Sequence, residues 1–167
     1  MNQDDDLSPN PSALVESLRA FPYSPHSAIA DLIDNSITAE AQTIRIYARW
    51  ADGNPIVEIV DDGKGINSEL LREALRFAGT GPGLQRNPND LGRFGLGLKT
   101  ASLSQCSRMT VTSVQNGSVA NLGWDIDELR SSGRRWTPAH SDKKTIEDQI
   151  HLLSGHDGTI VRWQKLD

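Results

Sequence analysis

The way its strands are joined restricts this chain more than any other feature. Residues 43–50 (TIRIYARW) alternate β-branched or aromatic residues with polar ones, and residues 56–60 return the pattern after Ala51-Asp52-Gly53-Asn54-Pro55. Residues 108–114 and 117–126 are separated by Asn116-Gly117, a dipeptide that favours a two-residue hairpin. Parallel neighbours need a crossover of a dozen or more residues, so joints this short force antiparallel pairs. Residues 158–166 (GTIVRWQKL) supply a last strand.

Segments with helical spacing lie between these pairs. Leu14, Val15, Leu18 and Phe21 predict a helix from Ser12, with Ser12 as its N-cap, broken by Pro22 and Pro25. A second helix is predicted to begin near residues 24–27 with Pro25 in its first turn. It turns Ala28, Ile29, Leu32, Ile33 and Ser36 inward and ends near residues 39–41. Residues 68–77 predict a third, capped by Ser68, and residues 98–105 a fourth, while residues 142–153 read as helix or extended arm. Helices interleaved with hairpins predict an α+β fold, a two-layer α/β sandwich. Its sheet is mixed but mostly antiparallel, with helices on one face.

The 167 residues make one domain, expected over residues 12–167 behind a flexible arm at residues 1–11. A hydrophobic share of 37% and a charged share of 23% suit a globular chain. No run reaches the roughly eighteen apolar residues of a spanning helix. The acidic start lacks the apolar core of a signal peptide, so a cytoplasmic protein is expected, nucleoid or nuclear if it acts on DNA. A net charge of −5 disfavours direct nucleic-acid binding, leaving a local patch around Arg130, Arg134 and Arg135. The one cysteine, Cys106, forbids an internal disulfide and reads as a buried structural thiol. His26, His140, His151 and His156 show no metal-ligand spacing.

Three short stretches stand out chemically. In residues 91–102 (LGRFGLGLKTAS), Gly92, Gly95 and Gly97 precede a helix start, where free N–H groups attract anions. Lys99 adds a positive charge and Thr100 a hydroxyl. A tight turn into a helix would look the same. A P-loop fails because Leu98, not glycine, precedes Lys99, and a dinucleotide fingerprint fails because no strand leads into Leu91. In residues 60–66 (VDDGKGI) a strand runs into Asp61, and Gly63 and Gly65 leave room for a flat ligand. Asp61 can accept a hydrogen bond from an exocyclic amine such as that of adenine, although an ordinary turn also uses Asp and Gly. In residues 30–36 (ADLIDNS), Asp31 and Asn35 share a helix face. A carboxylate and carboxamide there can hold hydrated Mg²⁺, while Asp34 and Glu40 read as a solvated face.

The order of these stretches, followed by Gly158-Thr159 entering a late strand, resembles the GHKL or Bergerat-fold ATPases. These include gyrase B subunits, heat-shock chaperones, sensor kinases, MutL and MORC proteins. The wording AIADLIDNS, FGLGLKTAS and GTIVRW is most similar to MORC-like and heat-shock-like members. Sensor kinases fit less well, since no phosphoacceptor helix is visible.

The resemblance implies ATP and Mg²⁺ as cofactors, with Asn35 as metal ligand and Asp31 as the general base activating water. It places Asp61 on the adenine amine, with Gly63 and Gly65 making room and Thr159 assisting through a water. Gly92, Gly95, Leu96, Gly97 and Leu98 would present backbone amides to the phosphates, with Lys99 and Thr100 beside them, under a lid at residues 78–92. Hydrolytic members usually carry glutamate where this chain has Asp31, so binding with slow hydrolysis is expected. A non-hydrolysing nucleotide-binding switch and a histidine-kinase-type phosphotransferase are the alternatives. In many relatives a following domain supplies a lysine to the γ-phosphate and couples ATP to dimerisation. The chain is therefore expected to belong to a longer protein or to be a minimal module, its partners ATP or ADP, a second copy and a downstream domain. Lys99 would partly stand in for that lysine.

Overall fold

A computed structural model of the chain describes residues 10–20, 22–51, 53–77, 97–133 and 135–167. In order the elements are α1 (Pro11–Arg19), α2 (Pro25–Thr38), β1 (Ile44–Ala51), β2 (Asn54–Asp61), α3 (Ser68–Leu75) and α4 (Gly97–Leu103). There follow β3 (Cys106–Gln115), β4 (Ser118–Asp125), α5 (Ile126–Ser131), α6 (Lys143–Leu152) and β5 (Gly158–Leu166). The strands form one five-stranded sheet in the order β1-β2-β5-β3-β4. Every pairing is antiparallel, and β5 joins the two hairpins by lying between β2 and β3. The β3–β4 turn uses Asn116 and Gly117, both left-handed at φ 50° and 75°, the geometry that matches a hairpin's twist.

The period-two alternation decides what each face carries. Val57, Ile59, Met109, Val111, Trp124, Val161 and Trp163 point to one side, where Val15, Ala28, Leu32, Leu71, Ala101 and Leu103 of the helices close the main core. Cys106 lies in this core, and its burial pushes the thiol pKa up to about 12, as suits an inert packing residue.

The opposite face also carries a helix. Residues 142–153, read as helix or arm, form α6, whose N-cap Asp142 accepts from Thr145 N. Ile150, Leu152 and Leu153 pack with Val60, Val114 and Ile160 across that face. Beside them Glu58 is wholly buried between Arg49 at 2.5 Å and Arg162 at 3.5 Å, and Gln149 Nε2 donates to it at 3.4 Å. Gln149 Oε1 in turn accepts from Thr112 Oγ1 at 2.6 Å. A buried carboxylate persists only with such partners.

Several element ends differ from their sequence-based expectations. Asn10, not Ser12, caps α1, because its Oδ1 takes the Ser12 and Ala13 N–H groups. Asn67, not Ser68, caps α3 by the same chemistry. That helix stops at Leu75 rather than Phe77, since Arg76 is extended at ψ 128°. The strand expected over residues 117–126 ends at Asp125, and residues 126–131 turn into α5 because Asp125 caps the Asp127 and Glu128 N–H groups. Arg130 is held by Glu16 and Asp127 at 2.8 and 3.3 Å, so it contributes little to a free basic patch, and Arg134 lies outside the described residues. Among the described residues no helix is long and apolar enough to cross a membrane.

Candidate functional site

Helix α2 sets out the site. Ser24 caps it by accepting from Ser27 N, and Pro25 fills its first turn. That start fixes the helix phase. Ala28 and Leu32 enter the core, and Asp31 and Asn35, one turn apart, fall together on the neighbouring face, half-buried. Ser36 then sits deep in the interface with the sheet, where its hydroxyl donates to Asp61 Oδ2 at 2.9 Å.

Asp61 is the last residue of β2 and only 6% exposed. Its Oδ1 accepts from Gly63 N at 3.0 Å. Burial pushes its pKa above the usual carboxylate value, and the Gly63, Ser36 and Thr159 hydrogen bonds pull in the opposite sense without cancelling it. A buried, partly satisfied acid of this kind gains from a ligand donor. The adjacent Asp62 has another task. Its Oδ1 takes the Gln42 and Thr43 N–H groups at 2.8 Å each and locks the loop between α2 and β1. Those bonds, the Thr43 one foremost, hold its pKa below the usual range.

The floor of the site is backbone brought close by glycine. A Cβ on Gly63 would lie 2.7 Å from Ala39 O. Gly65 has φ +61°, and a Cβ there would meet Val114 O at 2.0 Å, so no other residue fits without moving β3. Ser113 ties the floor to β5. Its Oγ receives the Ile66 N–H at 2.9 Å, donates to Gly158 O at 2.8 Å and lies 2.9 Å from Thr159 Oγ1. Thr159 faces Asp61 across β5 and β2, so the two share one side of the sheet.

At the other end of α2, Asp31 reaches the start of α4. A Cβ on Gly97 would stand 4.0 Å from Asp31 Oδ2, and the Tyr23 hydroxyl donates to that same oxygen. Asn35 makes no side-chain hydrogen bond among the described residues, so its carboxamide oxygen is available as a ligand. A single protein oxygen suits Mg²⁺, which takes its remaining ligands from water and phosphate. Leu98 and Thr100 are half-buried in the first turn of α4. Gly92, Gly95, Leu96 and the expected lid at residues 78–92 lie outside the described residues.

Lys99, expected beside the phosphates, is held by the end of α3. It is 1% exposed, and its Nζ donates to Ala74 O at 2.6 Å and Arg76 O at 3.0 Å, with the Phe77 ring centroid 5.7 Å away. Trp124 Nε1 donates to the intervening Leu75 O at 2.9 Å. The last carbonyls of a helix have no partners within it, and here two buried side chains supply them. The ammonium therefore anchors α4 to the end of α3. Lys99→Met is expected to destabilise the fold by about 1.5–3 kcal/mol, the range for hydrogen bonds to a charged group. Urea denaturation measures this, and what affinity survives should fall equally for ATP and adenosine. A loss confined to ATP would return Lys99 to the phosphates.

Sequence reasoning passed over two polar residues that shape this site. Ser36 reads from spacing only as an inward position, and Ser113 only as part of its strand. Both had a signal: a hydroxyl inside an otherwise apolar stripe.

Comparison with known proteins agrees with this arrangement. A profile described as histidine kinase-, DNA gyrase B- and HSP90-like ATPase matches residues 23–159, which takes in Asp31, Asn35, Asp61, the glycine stretch and Thr159. The DNA mismatch repair protein MutL from strains of Coxiella burnetii is 36% identical over 130 residues, covering 75% of this chain and 22% of MutL. The ATPase morc-1 of Caenorhabditis elegans is 28% identical over 98 residues, covering 59% of this chain and 11% of that protein. The chain thus spans about a fifth or less of the length of these relatives. With the match running through every piece of the site, the chain belongs to the GHKL ATPases and is an ATP-binding module of that family.

Proposed function

We propose that this domain binds Mg·ATP through its adenine at Asp61 and its triphosphate at the start of α4, and that it hydrolyses ATP slowly. The observation that carries the reading is the span of α2. One of its residues, Ser36, holds the buried acid Asp61, and one turn and a half back Asp31 stands over Gly97. A single rigid helix so links an amine-accepting pocket to an anion-attracting helix start.

Asp61 would accept from the adenine amine, and Thr159, beside it on β5, would complete the contact through a water. Gly63 and Gly65 leave the ring its space. Backbone N–H groups of Gly95, Leu96, Gly97 and Leu98, preceded by Gly92, would meet the phosphates, with the Thr100 hydroxyl nearby. Asn35 would hold Mg²⁺, which when bound neutralises charge building on the phosphates. Asp31 would take a proton from water as its oxygen bonds to the γ-phosphorus. The bond from that phosphorus to the bridging oxygen breaks, and ADP leaves.

The nucleotide state would drive closure of residues 78–92 or pairing with a second copy, within a longer protein. Likeness to MutL makes DNA repair one process such a cycle could serve. With a net charge of −5, this domain would reach nucleic acid through other domains.

Displacement of a fluorescent ATP analogue, with and without Mg²⁺, and phosphate release measured on the same sample test the proposal. ATP and ADP should displace the probe while GTP does not, since guanine carries an oxygen where adenine has its amine. Equal displacement by GTP would remove Asp61 from its role. Binding with no phosphate release would select the non-hydrolysing switch.

A further inference from the structure

Tyr23 lies outside every stretch that the sequence marked, yet its hydroxyl is bonded to Asp31. It sits in the short loop before α2, eight positions ahead of Asp31, where no helical spacing relates the two. Its placement is fixed from both ends. Gln105, just past α4, donates from Nε2 to the Tyr23 carbonyl at 2.8 Å, and the ring packs on the main core. The loop and both ends of α4 are thus tied together: Gly97 faces Asp31 at one end, and Gln105 holds Tyr23 at the other.

A carboxylate on a short side chain can rotate, and either oxygen can then face a substrate water. The Tyr23 bond takes Oδ2, while among the described residues Oδ1 accepts no hydrogen bond. We propose that Tyr23 is the positioning residue for Asp31, holding one carboxylate oxygen so that the other faces the reacting water. The inference rests on the reading of Asp31 as general base. It goes beyond that reading by assigning a second residue from a different segment.

The contact is electrostatically consistent. The bond to Asp31, followed by burial and the carboxylate charge, raises the Tyr23 pKa, so the phenol stays protonated and donating at neutral pH. Removing the hydroxyl should free the carboxylate to rotate, and misplacement on the order of 1 Å can cost about 100-fold.

Tyr23→Phe keeps the ring and its packing. It is expected to lower kcat about tenfold, with the ATP dissociation constant unchanged. Unchanged kcat would overturn the proposal, as would a faster enzyme, which would make the bond a restraint. A loss of affinity equal to the loss of kcat would also overturn it, by showing a packing role. A readout without nucleotide is the ultraviolet titration of tyrosinate, since the chain has only 2 tyrosines. Tyr23 should ionise at lower pH in Asp31→Asn than in the parent, and identical titrations would deny the contact. If Asp31→Asn itself leaves turnover intact, the base reading fails. If only Tyr23→Phe is silent, the positioning role alone fails.

Discussion

Asp61→Asn should weaken binding of ATP, ADP and adenosine alike by about 10- to 100-fold, the worth of a hydrogen bond to a charged group. An ionised carboxylate has lone pairs enough for Ser36, Gly63 and an incoming amine. An amide has only one oxygen, and its NH₂ would point a donor at a donor. The fold itself should tolerate the change. The Asp61 pKa is raised by burial, so its contribution to stability is fully present below the unfolded-state pKa. That contribution is lost as pH rises through the folded-state value, and at neutral pH the buried anion is already a cost. The neutral amide removes that cost.

The same sign governs the ligand. An amine donor favours the anion, so adenosine, with no phosphate to titrate, should bind more tightly as pH rises through the Asp61 pKa and should release protons below it. Calorimetry in two buffers of different ionisation enthalpy reads that release, which should vanish in Asp61→Asn. Equal affinity in parent and variant would place the base elsewhere.

How far the sequence reached depended on whether a residue's position followed from local spacing. Asp31 and Asn35 were readable as neighbours because a helix fixes residues four apart on one face. Asp61 is legible as an amine acceptor from its strand end and glycines, but Thr159 only through family resemblance, because their partnership is a register between strands nearly a hundred positions apart. Lys99 is expected near phosphate as a cation after glycines, and its spacing adds that it lies four before the buried Leu103 and shares that residue's inward face. The short helix α5 was also signalled, by Asp125 three positions before Glu128. Tyr23 had no comparable signal, since only tertiary packing brings its loop to α2.

Asp31→Asn is expected to lower kcat by about 10²- to 10⁴-fold, the usual worth of a general base, with Mg·ATP affinity kept within a factor of about two. The amide keeps the shape of the side chain and can still accept from Tyr23, so packing against Gly97 survives while proton acceptance is lost. Single-turnover phosphate release beside equilibrium binding separates the two effects. Undiminished turnover would exclude Asp31 as base.

The reach of the acid is a separate matter, addressed by Asp31→Glu. One more carbon–carbon bond carries the carboxylate about 1.5 Å further. In the parent background that extension must give up or distort the Tyr23 bond, so longer reach and lost orientation oppose one another. With Tyr23→Phe also present there is no bond to lose, and glutamate should accelerate hydrolysis more than it does alone. Residues in contact are expected to be non-additive in this way. Strict additivity would mean that Tyr23 and Asp31 act independently, and slow turnover would then be a matter of side-chain length alone.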